Sequence, residues 1–279
     1  MSRPRLTLLG VAAAFVAVAV TVPAGAAART TISASGSTSM QKLYIQLAKG
    51  YRKSSARVRR NVRFLEPSGG ASDVGIKEGA SGRVKIGLSS RDPKSGDPGV
   101  FSKVARDAVC VTTARENPVS NISQDQVRSI FTGSVSSWSS AKRAGLSGVR
   151  SSGSIDLEVR NSRSGTADAF QNIFLGQNKF VAGSATEHRS AGAQARAIGR
   201  NPNAIGYASF VNTRGMHAVP YRGVACNLRN AKSGRYFGAR NFWFVTRGKP
   251  KGATKAFIRY IRRSRSAKRI IGRGFIPLR

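Results

Sequence analysis

Three short loops place small hydroxyl residues and glycine where a helix is predicted to begin. They are Gly36-Ser37-Thr38-Ser39, Gly70-Ala71-Ser72 and Ser164-Gly165-Thr166. The first turn of a helix has unpaired N–H groups and a partial positive charge, and glycine and hydroxyl residues bring further donors close to a ligand. Three such loops in one place would surround a small tetrahedral oxyanion with neutral donors. For any single loop the alternative is an ordinary helix cap, because Ser and Thr are favoured there anyway.

One cation accompanies these loops, and other site chemistries have less support. Arg160 ends a predicted strand four residues before Ser164, where its guanidinium could make a bidentate contact with the anion. The chain has 2 Cys and 2 His, which leaves little for a metal site. No G-x-S-x-G elbow and no glycine-rich nucleotide loop occurs in the required context. We therefore expect a binding protein without a cofactor, and not an enzyme.

Alternating strands and helices would carry these loops. Strands are predicted at 31–34, 62–65, 84–88, 108–112, 155–159, 204–208, 216–220 and 242–246. One helix stripe consists of Leu43, Tyr44, Leu47, Ala48 and Tyr51. Ser123, with Gln126 three residues later, predicts a capping box at the start of another helix. Repeated strand–loop–helix units predict an α/β fold with a mostly parallel sheet, in which ligands bind at the carboxyl ends of the strands.

Short motifs spread over nearly the whole chain carry a family resemblance. In chain order they are Gly36-Ser37-Thr38-Ser39, Gly82 to Ser90, Asn117 to Ser123, Phe131-Thr132-Gly133, Arg160 to Thr166, Asn201 to Tyr207 and Gly274 to Leu278. Each is short, but their joint order is specific. The sequence resembles the PstS-like phosphate-binding proteins of bacterial high-affinity phosphate ABC uptake, in the type II periplasmic-binding-protein superfamily.

The resemblance implies two α/β lobes, each a mostly parallel sheet flanked by helices, with two chain crossings between them. Residues 29–106 plus 237–279 would form lobe I, and residues 107–236 would form lobe II. Such proteins close over dehydrated phosphate in the cleft between the lobes and do no chemistry on it. The ligand residues that the resemblance implies are Thr38, Ser39, Ser72, Arg160, Ser164, Gly165 and Thr166.

Two positions depart from the family pattern. Family members place an Asp after the third strand, where it accepts the proton of a protonated phosphate, and this chain has Ser90 there. A hydroxyl can donate or accept, so discrimination against sulfate should weaken unless Asp73 or Asp92 substitutes. Arg163 stands where the family often has Gly, and it would either add a cation at the rim or face solvent.

The first 28 residues predict a signal peptide. Arg3 and Arg5 precede an apolar run from Leu6 to Val22, and A-x-A cleavage sites follow at 24–28. A single membrane anchor is the alternative, but the run is marginal for a span of about 20 residues. We expect an exported protein of the periplasm or cell envelope, without a Cys for a lipid anchor near the cleavage point.

Export would also decide the state of the two cysteines. In an oxidising compartment Cys110 and Cys226 are expected to form a disulfide.

Basic residues greatly outnumber acidic ones. Lys and Arg number 47 against 12 Asp and Glu, the formal charge is +35, and residues 188–279 carry 21 Lys and Arg without an acid. Such a chain attracts polyanions. The cluster from Arg259 to Arg273 is either a solvated helix face or a patch for anionic cell-envelope polymers, lipid head groups or nucleic acid. No nucleic-acid module occurs, so specific nucleic-acid binding is not expected.

These observations together predict an exported monomer that captures inorganic phosphate for an ABC permease. Two alternatives stay open. One is an envelope-associated polyanion-binding protein on the same fold, and the other is a binder of a different oxyanion such as sulfate.

Overall fold

The structure, a computed structural model, describes residues 29–176 and 181–278. The predicted signal peptide, residues 1–28, lies outside the described residues. None of the helices within the described ranges combines the length and the apolar character that a membrane span requires.

Short strands and helices alternate through both described ranges. The strands are β1 (Thr30–Ile32), β2 (Ala34–Gly36), β3 (Val62–Phe64), β4 (Ser68–Gly70), β5 (Ile86–Ser89), β6 (Val100–Ala114), β7 (Asp156–Arg160), β8 (Thr186–His188), β9 (Ala204–Ser209), β10 (Met216–Ala218) and β11 (Ala239–Thr246). The α-helices are α1 (Gln41–Lys53), α2 (Ala56–Asn61), α3 (Ala71–Ser81), α4 (Gln124–Phe131), α5 (Trp138–Arg143), α6 (Gly165–Phe170), α7 (Ala191–Arg200), α8 (Leu228–Ser233), α9 (Gly252–Arg263) and α10 (Arg265–Gly272). A π-helical turn, Gln171–Leu175, continues α6.

Nine of these strands form one mixed sheet, and helices pack on it. Its order is β4-β2-β5-β11-β6-β9-β7-β8, with β10 paired to β6, while β1 and β3 form a separate pair. β2 is parallel to β4 and β5, and β7 is parallel to β8 and β9, as the strand–loop–helix repeats predict. The predicted α/β fold is confirmed.

The two longest strands, β6 and β11, are antiparallel to their neighbours. They lie in the middle of the sheet, between the parallel strands on either side. β11 is antiparallel to β5 and β6, and β6 is antiparallel to β9. Residues 100–108 of β6 pair with β11, and residues 109–113 pair with β9. The sequence predicted only residues 108–112 as a strand, because Lys103 and Arg106 interrupt the apolar pattern before them.

Buried apolar side chains form two large clusters, one on each side of the point where β6 changes partner. The first half of the molecule includes β2, β5, β11, α1 and α9, and buries Leu47, Phe244 and Phe257. The second half includes β7, β9, α4, α5 and α6, and buries Phe131 and Trp138. Each half therefore has its own core.

Local sequence signals account for individual helices. All five residues of the predicted stripe in α1 are buried. The predicted capping box of α4 is formed, since Ser123 Oγ accepts from the Gln126 N–H and Gln126 Oε1 accepts from the Ser123 N–H. Both predictions are confirmed.

A disulfide joins Cys110, in β6, to Cys226, in the loop before α8, across 116 residues of sequence. A cross-link over a loop of this length restricts the unfolded chain strongly. We expect the double variant Cys110→Ala/Cys226→Ala to lose about 2–5 kcal/mol of the free energy of unfolding in urea titrations. The wild-type protein measured with excess reductant is the control, and it should match the variant. Equal stability of the variant and the oxidised protein would contradict the prediction.

Candidate anion-binding site

Three strands lead directly into helices that begin at one cleft. β2 precedes α1, β4 precedes α3, and β7 precedes α6. No described side chain caps α1 or α3, so their first N–H groups, apart from that of Asp73, keep their capacity to bind a ligand. α6 differs, because Ser164 Oγ accepts from the N–H groups of Thr166 and Ala167 at 3.1 and 3.4 Å. Ser164 is therefore an ordinary cap as well as a predicted ligand residue.

Hydroxyl groups from both halves meet in this cleft and form what we call the hydroxyl cluster: Ser37, Ser39, Ser72, Ser90 and Thr166. Ser39 Oγ, from the first half, lies 2.9 Å from Thr166 Oγ1 of the second half. Ser37 Oγ donates to Ser90 Oγ at 2.8 Å, and Ser72 Oγ lies 3.2 Å from the same atom. All five side chains are buried. Buried hydroxyls that can donate are suited to a desolvated oxyanion.

Two glycines permit the close approach of the loops around the cluster. A Cβ at Gly165 would lie 2.7 Å from the backbone of both Ser90 and Arg91, and it would also overlap Ser72 Oγ. Gly36 has a φ of +120°, and a Cβ there would overlap the backbone of α3. A larger residue at Gly165 would push the start of α6 away from Ser72 and Ser90, and one at Gly36 would push β2 away from α3 and β5.

The turn into α3 has an uncommon backbone conformation. Gly70 and Ala71 have φ values of +127° and +71°, and this left-handed region is unfavourable for Ala. Unfavourable backbone conformations of this kind are frequent at ligand sites. The turn leads directly to Ser72, and the next N–H, of Asp73, donates to the carbonyl of Arg163 in the second half at 3.3 Å.

Arg160 is a buried cation with no ion-pair partner among the described residues. Its Nε and Nη2 donate to the carbonyls of His188 and Arg189, both at 3.0 Å, and no described atom accepts from its Nη1. Burial lowers the pKa of Arg160 to about 10, and the nearby Arg240 guanidinium acts in the same direction. A bound anion would favour the charged form of Arg160 again.

Thr38 lies beside the cluster rather than in it. Its Oγ1 accepts from the N–H of Ala191, the first residue of α7, at 3.0 Å. The two carbonyls that bind Arg160 come immediately before α7. Thr38 therefore contacts the segment of the second half that also holds Arg160.

A buried ion pair that sequence analysis missed supports the loops from behind. Arg240, in β11, donates twice to Asp107 Oδ2, in β6, at 2.8 and 3.0 Å, and Ser209 Oγ donates to Oδ1 at 2.9 Å. Arg240 Nη1 donates to the carbonyls of Ser90 at 3.4 Å and Gly165 at 3.2 Å. One guanidinium therefore connects loops of both halves. The sequence does show an acid, Asp107, directly before the strongly apolar segment 108–112, but nothing in the sequence identifies its basic partner.

No carboxylate joins the hydroxyl cluster within the described part of the chain. Asp73 Oδ1 accepts from Arg91 Nε at 2.9 Å, and Asp92 Oδ1 accepts from Asn241 at 2.8 Å. Ser90 therefore has a hydroxyl where the resemblance implies a carboxylate, and neither Asp takes its place.

The predicted ligand residues thus fall into three groups. The structure brings together Ser39, Ser72, Ser90, Gly165 and Thr166. Thr38 and Arg160 lie beside them and contact residues 188–191, at the start of α7, while Ser164 caps α6.

Comparison with known proteins identifies the family. A family model described as a PBP superfamily domain matches residues 21–265. The chain belongs to the PBP superfamily. This PBP-superfamily chain is 26% identical, over 89% of its own length and 81% of the relative's, to the phosphate-binding protein PstS of Bacillus subtilis. It is also 32% identical over 46% of its length to phosphate-binding protein PstS 2 of Streptococcus agalactiae, of which it covers 47%.

Solved structures show the same fold as this PBP-superfamily chain. A Clostridium perfringens structure, described as a phosphate ABC transporter substrate-binding protein with bound phosphate, has a TM-score of 0.78. It is 26% identical and is matched over 90% of this chain and 100% of its own. An ABC-type phosphate transport receptor from Vibrio cholerae has a TM-score of 0.67 at 24% identity, over 88% of this chain and 99% of its own, and supports the fold alone.

Proposed function

We propose that this protein captures inorganic phosphate in the cleft between its two halves and delivers it to an ABC-type permease. Thr38, Ser39, Ser72, Ser90, Arg160, Ser164, Gly165 and Thr166 are the proposed ligand residues. The names of the relatives, which are phosphate-binding proteins, support the choice of anion.

One observation carries this proposal: buried hydroxyls from both halves meet at hydrogen-bond distance, with Ser39 Oγ 2.9 Å from Thr166 Oγ1. A ligand that replaces this direct contact would be held by donors of both halves at once. The starts of α1 and α3, which no described side chain caps, and Arg160, which pairs with no described acid, supply the positive potential that a phosphate anion needs.

The same proposal covers the division of the chain and its location. We assign residues 29–106 plus 237–279 to lobe I and residues 107–236 to lobe II, and the two separate cores support this division. Closure of the lobes would enclose the phosphate. The protein would act outside the cytoplasmic membrane, where a phosphate permease receives its substrate.

Titration calorimetry in high salt tests the proposal. At about 1 M salt the Debye length is about 3 Å, so exposed cations contribute little and an enclosed site is measured nearly alone. We expect saturable binding of one phosphate per chain, and native mass spectrometry of the purified protein should show the same stoichiometry. Heats that do not saturate under these conditions would contradict the proposal.

Replacement of Gly165 tests whether the lobes must close for binding. Its φ is outside the left-handed region, so Gly165→Ala acts through the overlap of the new Cβ with Ser72 Oγ and with the backbone of Ser90. Overpacking costs about 1–3 kcal/mol, so we expect the phosphate dissociation constant to rise about 5- to 150-fold. Gly183→Ala is the matched control, because a Cβ at Gly183 meets no atom of the described residues within 4 Å. Equal affinity in both variants would show that this approach is not needed.

The missing carboxylate predicts weak selectivity between phosphate and sulfate. Sulfate has no proton for an Asp to accept, and the hydroxyl of Ser90 can donate to either anion. We expect competition calorimetry to give a sulfate dissociation constant less than about 1,000-fold above that of phosphate, a difference below about 4 kcal/mol. A larger ratio would mean that another group accepts the phosphate proton.

A further inference from the structure

Four helices on the outside of the first half carry many basic residues and no acidic ones. α1 and α9 contain four Lys or Arg each, and α2 and α10 contain three each. We call this surface the basic face; its residues are Lys42, Lys49, Arg52, Lys53, Arg57, Arg59, Arg60, Lys255, Arg259, Arg262, Arg263, Arg265, Lys268 and Arg269.

The four helices form one continuous surface. α1 contacts α2, α9 and α10, and α9 contacts α10. Their apolar residues, among them Leu47, Phe257 and Ile261, face the core of the first half. The basic side chains are therefore directed to solvent, and all of them are exposed except the half-buried Lys268.

Carboxylates do not neutralise the basic face. The ion pairs of the described residues involve Asp107, Glu158 and Asp168, and two further Asp residues at Arg91, all near the cleft. The remaining described ion pairs hold Glu78 and Asp125. None includes a residue of the basic face. Counterions from the solvent must therefore screen the repulsion among these cations, and a bound polyanion would displace those counterions.

We propose that the basic face binds a linear polymer without nucleobases whose repeating charged group is a phosphate or phosphodiester. α1, with 13 residues, is about 20 Å long, so one extended polymer can contact cations on several of the helices at once. Release of condensed counterions from the polymer drives such binding, and a single free phosphate gains almost nothing from it.

The lack of exposed large apolar and aromatic side chains on these four helices favours such a polymer over a membrane or a nucleic acid. Helices that lie on membranes insert large apolar side chains, but the exposed large hydrophobic residues of the described chain, Leu65, Val100 and Phe237, lie outside these four helices. Single-stranded nucleic acids stack their bases on exposed aromatic rings. The aromatic rings of α1 and α9 are buried or half-buried, Tyr51 and Phe257 among them.

Two matched variants test the proposal. The face variant replaces one basic residue by Gln in each helix of the basic face: Lys49, Arg59, Lys255 and Arg269. The control variant removes the same charge from exposed positions of the second half, in α5, α7 and α8: Lys142, Arg196, Arg200 and Arg229. No described hydrogen bond involves these side chains, so both variants should fold. The probes are inorganic polyphosphate, poly(glycerol phosphate), single-stranded DNA and vesicles of neutral lipid with phosphatidylglycerol.

The dependence of polymer affinity on salt is the decisive measurement. Each phosphate contact contributes about 0.7 to the slope of log K against log salt, so the face variant should reduce its magnitude by about 3 and weaken binding at least tenfold. The control variant should stay within about twofold of the wild type. Phosphate binding in the cleft should be unchanged in both variants, which separates this proposal from the proposed function.

The probes also identify the source of the ligand. Tighter binding of polyphosphate or of poly(glycerol phosphate) tells which polymer the basic face prefers, and either result supports the proposal. Equal losses in the two variants would show that net charge alone attracts the polymer and would overturn it. Tighter binding of vesicles or DNA than of both phosphate polymers would overturn it as well.

Discussion

Arg160→Gln should raise the dissociation constant for phosphate by about 30- to 5,000-fold. Removing one partner of a buried, hydrogen-bonded charge pair costs about 2–5 kcal/mol, because the other charge is then left without compensation. The free protein should lose little stability, within about 1 kcal/mol, since burial already disfavours the charged form of Arg160 and lowers its pKa to about 10. Titration calorimetry and urea unfolding without phosphate measure the two effects.

Arg163→Gln is the control for this prediction. Arg163 lies three residues further along the chain, in the loop after β7; it is exposed and carries the same charge. Its replacement should change the dissociation constant less than about threefold at 0.15 M salt, because exposed charges are screened. Similar losses in both variants would mean that the general field of the loop binds phosphate, without a specific contact to Arg160.

Arg240→Met should destabilise the folded protein by about 3–5 kcal/mol near pH 7, because it leaves the fully buried Asp107 carboxylate without its cation. Arg247→Met is the control. Arg247 is exposed, and its loss should change the free energy of unfolding by less than about 0.5 kcal/mol. Urea unfolding at pH 7 measures both variants, and a loss below about 1 kcal/mol in Arg240→Met would contradict the prediction.

The pH dependence identifies the cause of that loss. Burial raises the pKa of Asp107 above its ordinary value, and Arg240 opposes this effect. Without Arg240 the pKa rises further, so the folded variant binds a proton more readily than the unfolded chain and gains stability as the pH falls. The deficit of Arg240→Met should therefore shrink between pH 7 and pH 5. Adding Asp107→Asn should recover at least about 2 kcal/mol at pH 7, and a further loss would contradict this explanation.

Elements with a local signal in the sequence were predictable. The stripe of α1 and the capping box of α4 each depend on residues within one or two helical turns, and both occur as predicted. The length of β6 was not predictable. Its first residues mix apolar and charged side chains without a regular period, and their pairing with the distant strand β11 makes them part of the sheet.

In the candidate site, too, some residues could be predicted from the sequence and others could not. Gly and hydroxyl residues at helix starts marked Ser39, Ser72 and Thr166, although these residues are distant in sequence, because one structural rule places all of them at strand ends. The pairing of Arg240 with Asp107 follows no such rule. The two residues are 133 positions apart, and periodicity cannot select one of 47 basic residues as the partner of a buried acid.

The two chain segments that pass between the halves are bonded to each other where they pass. The N–H of Val109 donates to the carbonyl of Gly238 at 2.8 Å. The ion pair of Arg240 and Asp107 joins the same two segments two residues away on each strand. Two crossing segments without mutual contacts could change their backbone angles independently. Segments joined by a hydrogen bond and an ion pair resist twisting, because they must move together. We expect these bonds to confine any rotation of one half against the other to a small range of angles about one axis. A pair of fluorescent reporters placed across the opening should register one reproducible displacement.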